Sequence, residues 1–262
     1  MKRLGVRLVS KHLIIPDTQC KDGDNFEFLS WVGQYILDQR PDTVIHLGDF
    51  ADMESLSSYD VGKKSFEGKR YIKDIQAAKD AMECLVSPLH QFNQRAKKNK
   101  EKQYKPRLVL CLGNHEQRIQ RAVENDPKLE GLIKYEDLPY KDWEVHPFLK
   151  PVFIDGIAYC HYFPTGVMGR PATTASAMVS KLHMSCIAGH QQGKQVAYGK
   201  RPDGSTITCI IAGSCYEHDE HYLDHQTNRH WRGVVVLNEV DNGSYDEMFV
   251  SLKYLKKKYG TK

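Results

Sequence analysis

The feature that most constrains the fold is an alternation of short apolar runs with longer amphipathic stretches in the first half of the chain. The short runs predict strands, and the amphipathic stretches have apolar residues at helical spacing. The predicted strands are His12–Pro16, Thr43–Leu47 and Arg107–Leu112, and the helices between them are Phe26–Gln39 and Tyr71–Ala96, the latter interrupted near Pro88. This order predicts a parallel sheet, because each helix returns the chain to the same end of the sheet.

The second half of the chain changes from helix-separated strands to hairpins. The Asp155-Gly156 turn joins two predicted strands, 151–154 and 157–162. Further strands are predicted at Ser185–Ala188, Lys194–Tyr198, Ser205–Ala212 and Gly233–Val240, with a helix at Ala172–His183 and a fraying basic tail from Lys253 to Lys262. We therefore predict an α/β fold with two packed mixed β-sheets flanked by helices, a four-layer αββα sandwich, as one domain over residues 1–262.

Polar residues follow five of the predicted strands at the point where each strand ends. They are Asp17-Thr18-Gln19, Gly48-Asp49-Phe50-Ala51-Asp52, Gly113-Asn114-His115-Glu116, His161 and Gly189-His190-Gln191-Gln192. The carboxyl ends of such strands meet at one crevice, and carboxylate, amide and imidazole groups bind Mn²⁺, Fe or Zn²⁺. Any one fragment is more simply a turn or a buried core histidine. Five fragments in order, three with a glycine before the ligand, predict a metal site.

These motifs resemble those of the calcineurin-like metallophosphoesterase superfamily, whose pattern is D-x-H, GD-x-x-D, GNH-[DE], a later His and GH-x-H. The corresponding fragments of this chain are DTQ, GDFAD, GNHE, CHY and GHQQ, and they extend from Asp17 to Gln192. The longer segments GDFADMESLSSYD, HYFPTGVMGRP and YEHDEHYLDHQTNRHWRG resemble a bacteriophage-type branch of that superfamily. The resemblance implies a phosphoesterase with two divalent metal ions.

The resemblance also implies which residues bind each ion. The first position would consist of Asp49, Asn114, His161 and His190, and the second of Asp17, Gln19, the shared Asp49 and Gln192. The two glutamines replace histidines that are usual in the family, and an amide offers only a neutral, hard oxygen. We therefore expect the second ion to bind more weakly, with Mn²⁺ favoured and Mg²⁺, Fe or Zn²⁺ as alternatives. A one-metal site, or glutamines that contact the substrate phosphate, are the competing interpretations.

His115 is implied by the resemblance to donate a proton to the leaving oxygen or a hydrogen bond to the phosphate, while a metal-bound hydroxide attacks phosphorus. Asp52 or Glu116 would orient His115, and helix capping is the alternative role of both carboxylates. Arg118 and Arg170 are the candidate phosphate contacts, since a guanidinium matches phosphate oxygens. Solvated surface arginine is the competing interpretation for each.

Two further segments carry side chains without an assigned role. The first combines basic and aromatic residues and is typical either of a single-strand-binding surface or of a solvated face; its members are Lys63, Lys64, Lys69, Arg70, Phe66 and Tyr71. The second, Glu217–Arg232, contains His218, His221, His225 and His230. Its spacing matches no metal motif, so we interpret it as a substrate-binding loop rather than a second metal site.

Composition permits a phosphate-bearing partner without requiring one, because 37 basic and 33 acidic residues leave a net charge of +4. No apolar run reaches the roughly 18 residues that span a bilayer, so no membrane partner is expected. The seven cysteines include no CxxC pair, which predicts buried free thiols and a reducing cytoplasm, that of the host if the chain is viral.

Phosphodiester hydrolysis of nucleic acid is the function that we expect from these residues. A phosphomonoesterase that acts on nucleotides or phosphoproteins is the alternative, because the motifs do not encode recognition of the leaving group. A non-catalytic scaffold that retains the fold is a third hypothesis, although such a protein would be expected to lose the histidine at position 115.

Overall fold

The structure, a computed structural model, describes residues 9–166, 168–218 and 230–260. The first half contains the strands β1 (Ser10–Ile15), β2 (Thr43–His46), β3 (Arg107–Cys111) and β4 (Glu144–His146) and the helices α1 (Glu27–Gln39), α2 (Tyr71–Lys98) and α3 (Gln117–Asn125). The second half contains β5 (Val152–Ile154), β6 (Ile157–Cys160), α4 (Ala175–Leu182), β7 (Cys186–Ala188), β8 (Lys194–Lys200), β9 (Thr206–Ala212), β10 (Gly233–Asp241), β11 (Ser244–Ser251) and α5 (Leu252–Tyr259). Short 3-10 turns lie at Glu54–Leu56, Lys64–Phe66, Pro127–Leu129 and Tyr135–Asp137.

The strands form two mixed sheets. The first has the order β11-β10-β1-β2-β3-β4, and the second has the order β5-β6-β7-β9-β8. In the first sheet, β1 to β4 are parallel, with Leu13 opposite Val44. Strand β10 runs antiparallel to both of its neighbours, β1 and β11. In the second sheet β6, β7 and β9 are parallel, and β5 and β8 are antiparallel edge strands. The carboxyl ends of all the parallel strands can therefore contribute to one site.

Three buried clusters separate four layers. Side chains alternate between the two faces of a strand, so Leu13 and Ile15 pack with α1 and α2, whereas Ile14 packs between the sheets. Helix α4 covers the outer face of the second sheet, where Met178 belongs to the third cluster. The predicted αββα sandwich is confirmed. The assignment of residues 1–262 to one domain stays a prediction.

The structure corrects the prediction that α2 is interrupted near Pro88. The helix continues through that residue, although proline removes a hydrogen bond and crowds the preceding turn at a cost of about 3 kcal/mol. Helix α1 packs closely there, because a Cβ on Gly33 would lie 2.4 Å from the Leu85 carbonyl and 2.9 Å from Pro88 Cγ. Buried residues on both sides of the proline, including Leu85 and Ala96, hold the helix against its neighbours.

The prediction of a frayed tail is wrong for the described part of it. Residues 252–259 form α5, and Leu252 and Leu255 are buried in the same cluster as α1. Two apolar residues at a spacing of three lie on one face of a helix, and that face anchors the basic segment. Strands β4 and β11 were not predicted. Both are edge strands of the first sheet: β4 pairs with β3, and β11 forms a hairpin with β10.

All seven cysteines are free thiols, and all except Cys84 are buried, as predicted. Among the described residues, no helix combines the length and the apolar character needed to cross a bilayer.

Candidate metal centre

The four residues predicted for the first metal position lie together at the carboxyl ends of β2, β3, β6 and β7. One ligand atom each from Asp49, His161 and His190 lies within 4.8 Å of the others. The amide oxygen of Asn114 lies 2.8 Å from Nε2 of His161. Two imidazoles, a carboxylate and an amide oxygen in such an arrangement are suitable ligands for a divalent transition metal.

The imidazole of His161 is oriented so that its Nε2 faces the candidate centre. Its Nδ1–H donates to the carbonyl oxygen of Leu47 at 3.0 Å, so Nε2 faces the Asp49 carboxylate at 3.3 Å. Burial disfavours the charged imidazole, but the Asp49 carboxylate outweighs that effect and raises the pKa of His161 to about 9. A cation at this position would replace the imidazole proton as the partner of Asp49.

Close backbone approach explains the glycines of the site. Asp49 has a φ of +50°, and a Cβ on Gly113 would lie only 2.1 Å from its Oδ1. On the opposite side of the site, a Cβ on Gly189 would lie 2.3 Å from Oδ1 of Asp17. Both glycines therefore make room for a ligand carboxylate, as their place before the ligands Asn114 and His190 had suggested.

The second predicted position contains two carboxylates and two amides. Asp17 is fully buried, and its carboxylate accepts a hydrogen bond from the backbone N–H of His190 at 3.0 Å. The backbone N–H of Gln19 donates to the carbonyl oxygen of Asp49 at 2.8 Å. Gln192 is buried on the remaining side, and its Oε1 accepts a hydrogen bond from the Tyr216 hydroxyl at 3.0 Å.

These residues fit a hard divalent cation. Burial, together with the neighbouring Asp49 charge, raises the pKa of Asp17 to about 7, which shows that a second carboxylate charge is costly at this position without a cation. Within the described residues, the buried Oε1 of Gln19 accepts no hydrogen bond. An oxygen-binding cation would offset the repulsion between the carboxylates and would give that amide oxygen a partner.

His115 lies beside the first position and is oriented by Asp52. Its Nδ1 lies 2.6 Å from Oδ1 of Asp52, and its Nε2 lies 3.7 Å from Oδ2 of Asp49. Burial lowers the pKa of His115, but the charges of Asp49 and Asp52 outweigh burial and raise it overall. Arg118 supports the pair, since it donates to the Asp52 carbonyl oxygen at 2.7 Å and to Oδ1 at 3.3 Å.

The Glu116 carboxylate holds the Asp49 loop, whereas the orientation of His115 is set by Asp52. Glu116 is fully buried. Its oxygens accept hydrogen bonds from the backbone N–H groups of Asp49, Phe50, Ala51 and Gly113 and from the hydroxyl of Tyr140. Helix capping is therefore wrong as the role of Asp52 and Glu116, because neither side chain caps the helical segment that follows it.

The two candidate phosphate-binding arginines differ in position. Arg118 is largely buried in the wall of the cleft, next to His115 Nε2 at 3.3 Å. Arg170 lies on an exposed loop and lines neither of the two cavities at the site. Arg121, one helical turn beyond Arg118, lines the second cavity and donates to the Asn114 carbonyl oxygen at 3.2 Å.

Two cavities meet at the centre and form a cleft with two arms. The first arm has a volume of about 480 Å³ and the second about 320 Å³. Both arms contact Asn114, His190, Arg118 and Tyr59. Part of the basic and aromatic segment also faces the first arm, namely Lys63, Phe66 and Lys69, so this part is not simply a solvated face. Lys63 pairs with Asp60 and Lys69 with Glu54.

The His-rich segment lies partly outside the described residues, which include His218 and His230 but not His221 or His225. Nδ1 of His218 lies 3.1 Å from Oδ2 of Asp24, and Nδ1 of His230 lies 2.6 Å from the Tyr216 hydroxyl. The described ends of the segment thus lie beside the second metal position.

Sequence reasoning missed Tyr59 and Tyr216. Tyr216 follows β9 by four residues, at the same edge of the sheet as the ligands, so the rule that located the ligands also applies to it. Tyr59 lies in the loop after the GDFAD motif and has no strand-end signal.

A model of the family described as calcineurin-like phosphoesterase matches residues 11–163. No curated protein sequence matches the chain significantly. A phosphoesterase from E. coli named Yfce is 12% identical, with a TM-score of 0.36 over 92% of this chain and 99% of that one. A dimetal phosphatase from Danio rerio is also 12% identical, with a TM-score of 0.37 over 93% and 99%.

Proposed function

The chain belongs to the calcineurin-like phosphoesterase family, and from that premise we propose that it is a metal-dependent phosphodiesterase that cleaves nucleic acid. Family membership makes it a hydrolase of phosphoester bonds. The single observation that favours a diester substrate is the cleft, whose two arms both border Asn114 and His190 of the candidate centre. A phosphodiester has a substituent on each side of the phosphorus, whereas a monoester has only one.

Two divalent cations, when bound, would activate water and neutralise charge on the phosphate, and we favour Mn²⁺. Asp49, Asn114, His161 and His190 would hold the first cation. Asp17, Gln19, Asp49 and Gln192 would hold the second, more weakly, because two of its four ligands are neutral amides.

His115 is the residue that we assign to proton transfer. Asp52 holds its Nδ1 at 2.6 Å, which leaves Nε2 to face the shared ligand Asp49 and the cleft. A protonated Nε2 in this place would donate to the leaving oxygen or to a phosphate oxygen, and Asp52 would stabilise the imidazolium. The intact His115–Asp52 pair also argues against the non-catalytic scaffold.

The two arms provide contacts for the groups that flank the phosphate. Tyr59 borders both arms, and 79% of its surface is exposed, so a base can stack on its ring. Phe66 and Lys63 lie along the first arm, and Arg121 lies along the second. Each arm is large enough for a nucleotide-sized group, since ligand pockets have volumes of about 300–1,000 Å³.

Comparative turnover tests the proposal. The full chain, purified without metal and supplied with Mn²⁺, would be assayed on a nitrophenyl phosphate, on its bis-ester and on labelled single-stranded DNA and RNA. We expect cleavage of the bis-ester and of at least one nucleic acid, with much slower monoester hydrolysis. Preferential hydrolysis of the monoester would favour the phosphomonoesterase instead.

A pair of histidine variants tests the assigned mechanism. His115→Ala should lose diester hydrolysis by about 10²-fold or more while it retains its Mn²⁺. His90→Ala, an exposed histidine on α2, is the matched control and should behave as the wild type. Unchanged turnover in His115→Ala would refute the role of His115.

A further inference from the structure

We infer that Tyr216 is a positioning residue that orients the amide of Gln192 and thereby sets the affinity of the second metal position. The inference rests on the proposed two-metal centre, and it assigns a role to a residue outside both ligand sets. It explains how a glutamine can stand where the family has a histidine.

A glutamine ligand has a problem that a histidine ligand does not have. Its amide presents an oxygen on one side and an NH₂ group of similar shape on the other, and only the oxygen binds a cation. Gln192 is buried, has a φ of +56° and accepts a hydrogen bond from Trp231 N–H at its own carbonyl oxygen, 3.2 Å away. The backbone of this ligand is therefore fixed, but the orientation of its amide has to be set by a contact with its side chain.

Tyr216 supplies that contact. Its hydroxyl donates to Oε1 of Gln192 at 3.0 Å and lies 2.6 Å from Nδ1 of His230. The hydroxyl has a single proton, so when it donates to Gln192, the ring N–H of His230 must donate to the tyrosine oxygen. With the hydroxyl as donor, Oε1 is fixed on the side of Tyr216, and its second lone pair stays available for a cation.

The tyrosine itself is rigidly held. It is fully buried, its ring stacks on His218 with centroids 4.4 Å apart, and the guanidinium of Arg232 lies 5.3 Å from its ring centroid. The preceding residue, Cys215, donates its backbone N–H to the carbonyl oxygen of Asp17 at 2.7 Å. One short segment thus contacts two ligands of the second position, Asp17 through the backbone and Gln192 through the tyrosine hydroxyl.

The Tyr216→Phe variant removes only the hydroxyl, because phenylalanine retains the ring that packs on His218 and Arg232. Loss of a partner that orients a metal ligand weakens metal binding by about 10–100-fold. We expect that loss at the second position alone. The first position, formed by Asp49, Asn114, His161 and His190, has no contact with the Tyr216 hydroxyl in the described structure.

Titration of the metal-free full chain with Mn²⁺, followed by the electron paramagnetic resonance of free Mn²⁺, measures both positions without relying on activity. The wild type should bind two ions, and Tyr216→Phe should bind the first with unchanged affinity and the second about 10–100-fold more weakly. Tyr245→Phe is the matched control, because this buried hydroxyl donates to the Thr208 carbonyl oxygen at 2.9 Å, between β11 of the first sheet and β9 of the second. It should leave both affinities unchanged.

A double-mutant cycle with Gln192→Ala separates positioning from a general structural effect. If Tyr216 acts through the amide, Tyr216→Phe should weaken the second position no further once the amide has been removed. Equal effects in both backgrounds, equal weakening of both positions, or a wild type that binds a single ion would each overturn the inference. A wild type that binds two ions but hydrolyses no diester would refute the proposed function and leave the role of Tyr216 standing.

Discussion

Replacing Glu116 by glutamine should destabilise the protein strongly, although the change is nearly isosteric. Five donors face the two carboxylate oxygens of Glu116, and no acceptor is among them. A glutamine would put an NH₂ group where one of the oxygens is. Its best orientation keeps three bonds and leaves the backbone N–H groups of Asp49 and Gly113, now 3.0 and 2.8 Å from an oxygen, without an acceptor.

The magnitude follows from these two lost bonds. A hydrogen bond to a charged group contributes about 1.5–3 kcal/mol, so the expected loss is about 3–6 kcal/mol in the free energy of unfolding. That is a large part of the roughly 5–15 kcal/mol typical of a folded protein. One of the lost donors belongs to Asp49, which we proposed as the ligand shared by the two positions, so Mn²⁺ should bind more weakly at both.

Urea unfolding followed by circular dichroism measures the effect on stability, and Mn²⁺ titration measures the effect on the centre. Glu124→Gln is the matched control, because Glu124 is an exposed residue of the same helix, and its free energy of unfolding should change by no more than about 0.5 kcal/mol. If Glu116→Gln unfolded at the wild-type urea concentration but turned over diester about 100-fold more slowly, Glu116 would act in proton transfer and the structural reasoning would be refuted.

Three further variants test other contacts of the centre. Gly113→Ala puts a Cβ 2.1 Å from Oδ1 of Asp49, so it should abolish tight Mn²⁺ binding in a titration; normal binding would show that the loop can adjust. Asp52→Asn removes the carboxylate beside His115 and should lower kcat for a diester by about 10²-fold with both ions retained, whereas an unchanged kcat would exclude the pair from catalysis. Tyr59→Ala should raise KM for an oligonucleotide by about 5–150-fold, the equivalent of roughly 1–3 kcal/mol of stacking, but not for a methyl nitrophenyl diester. An equal rise for both substrates would contradict base stacking.

The sequence by itself predicted the fold class, which the structure confirms, and the residues that the structure brings together at the candidate centre. Asp49, Asn114, His161 and His190 could be placed together because each follows a strand, and the carboxyl ends of parallel strands meet at one edge. That inference needs only local periodicity and the order of the elements, and both can be read along the chain. Gln19 and Gln192 also lie after strands, but only the resemblance to the family implied that they are ligands of a second position.

Only the tertiary structure decided which partners the residues around the centre contact. Asp52 and Glu116 were equivalent candidates in the sequence, yet Asp52 bonds His115 from 63 residues away, while Glu116 holds the Asp49 loop from 67 residues away. The continuation of α2 through Pro88 and the contact between Tyr216 and Gln192 were likewise decided by packing between distant segments. Hydrogen bonds of this kind depend on donor–acceptor distances to within tenths of an ångström. The local periodicity of the sequence carries no information about such distances.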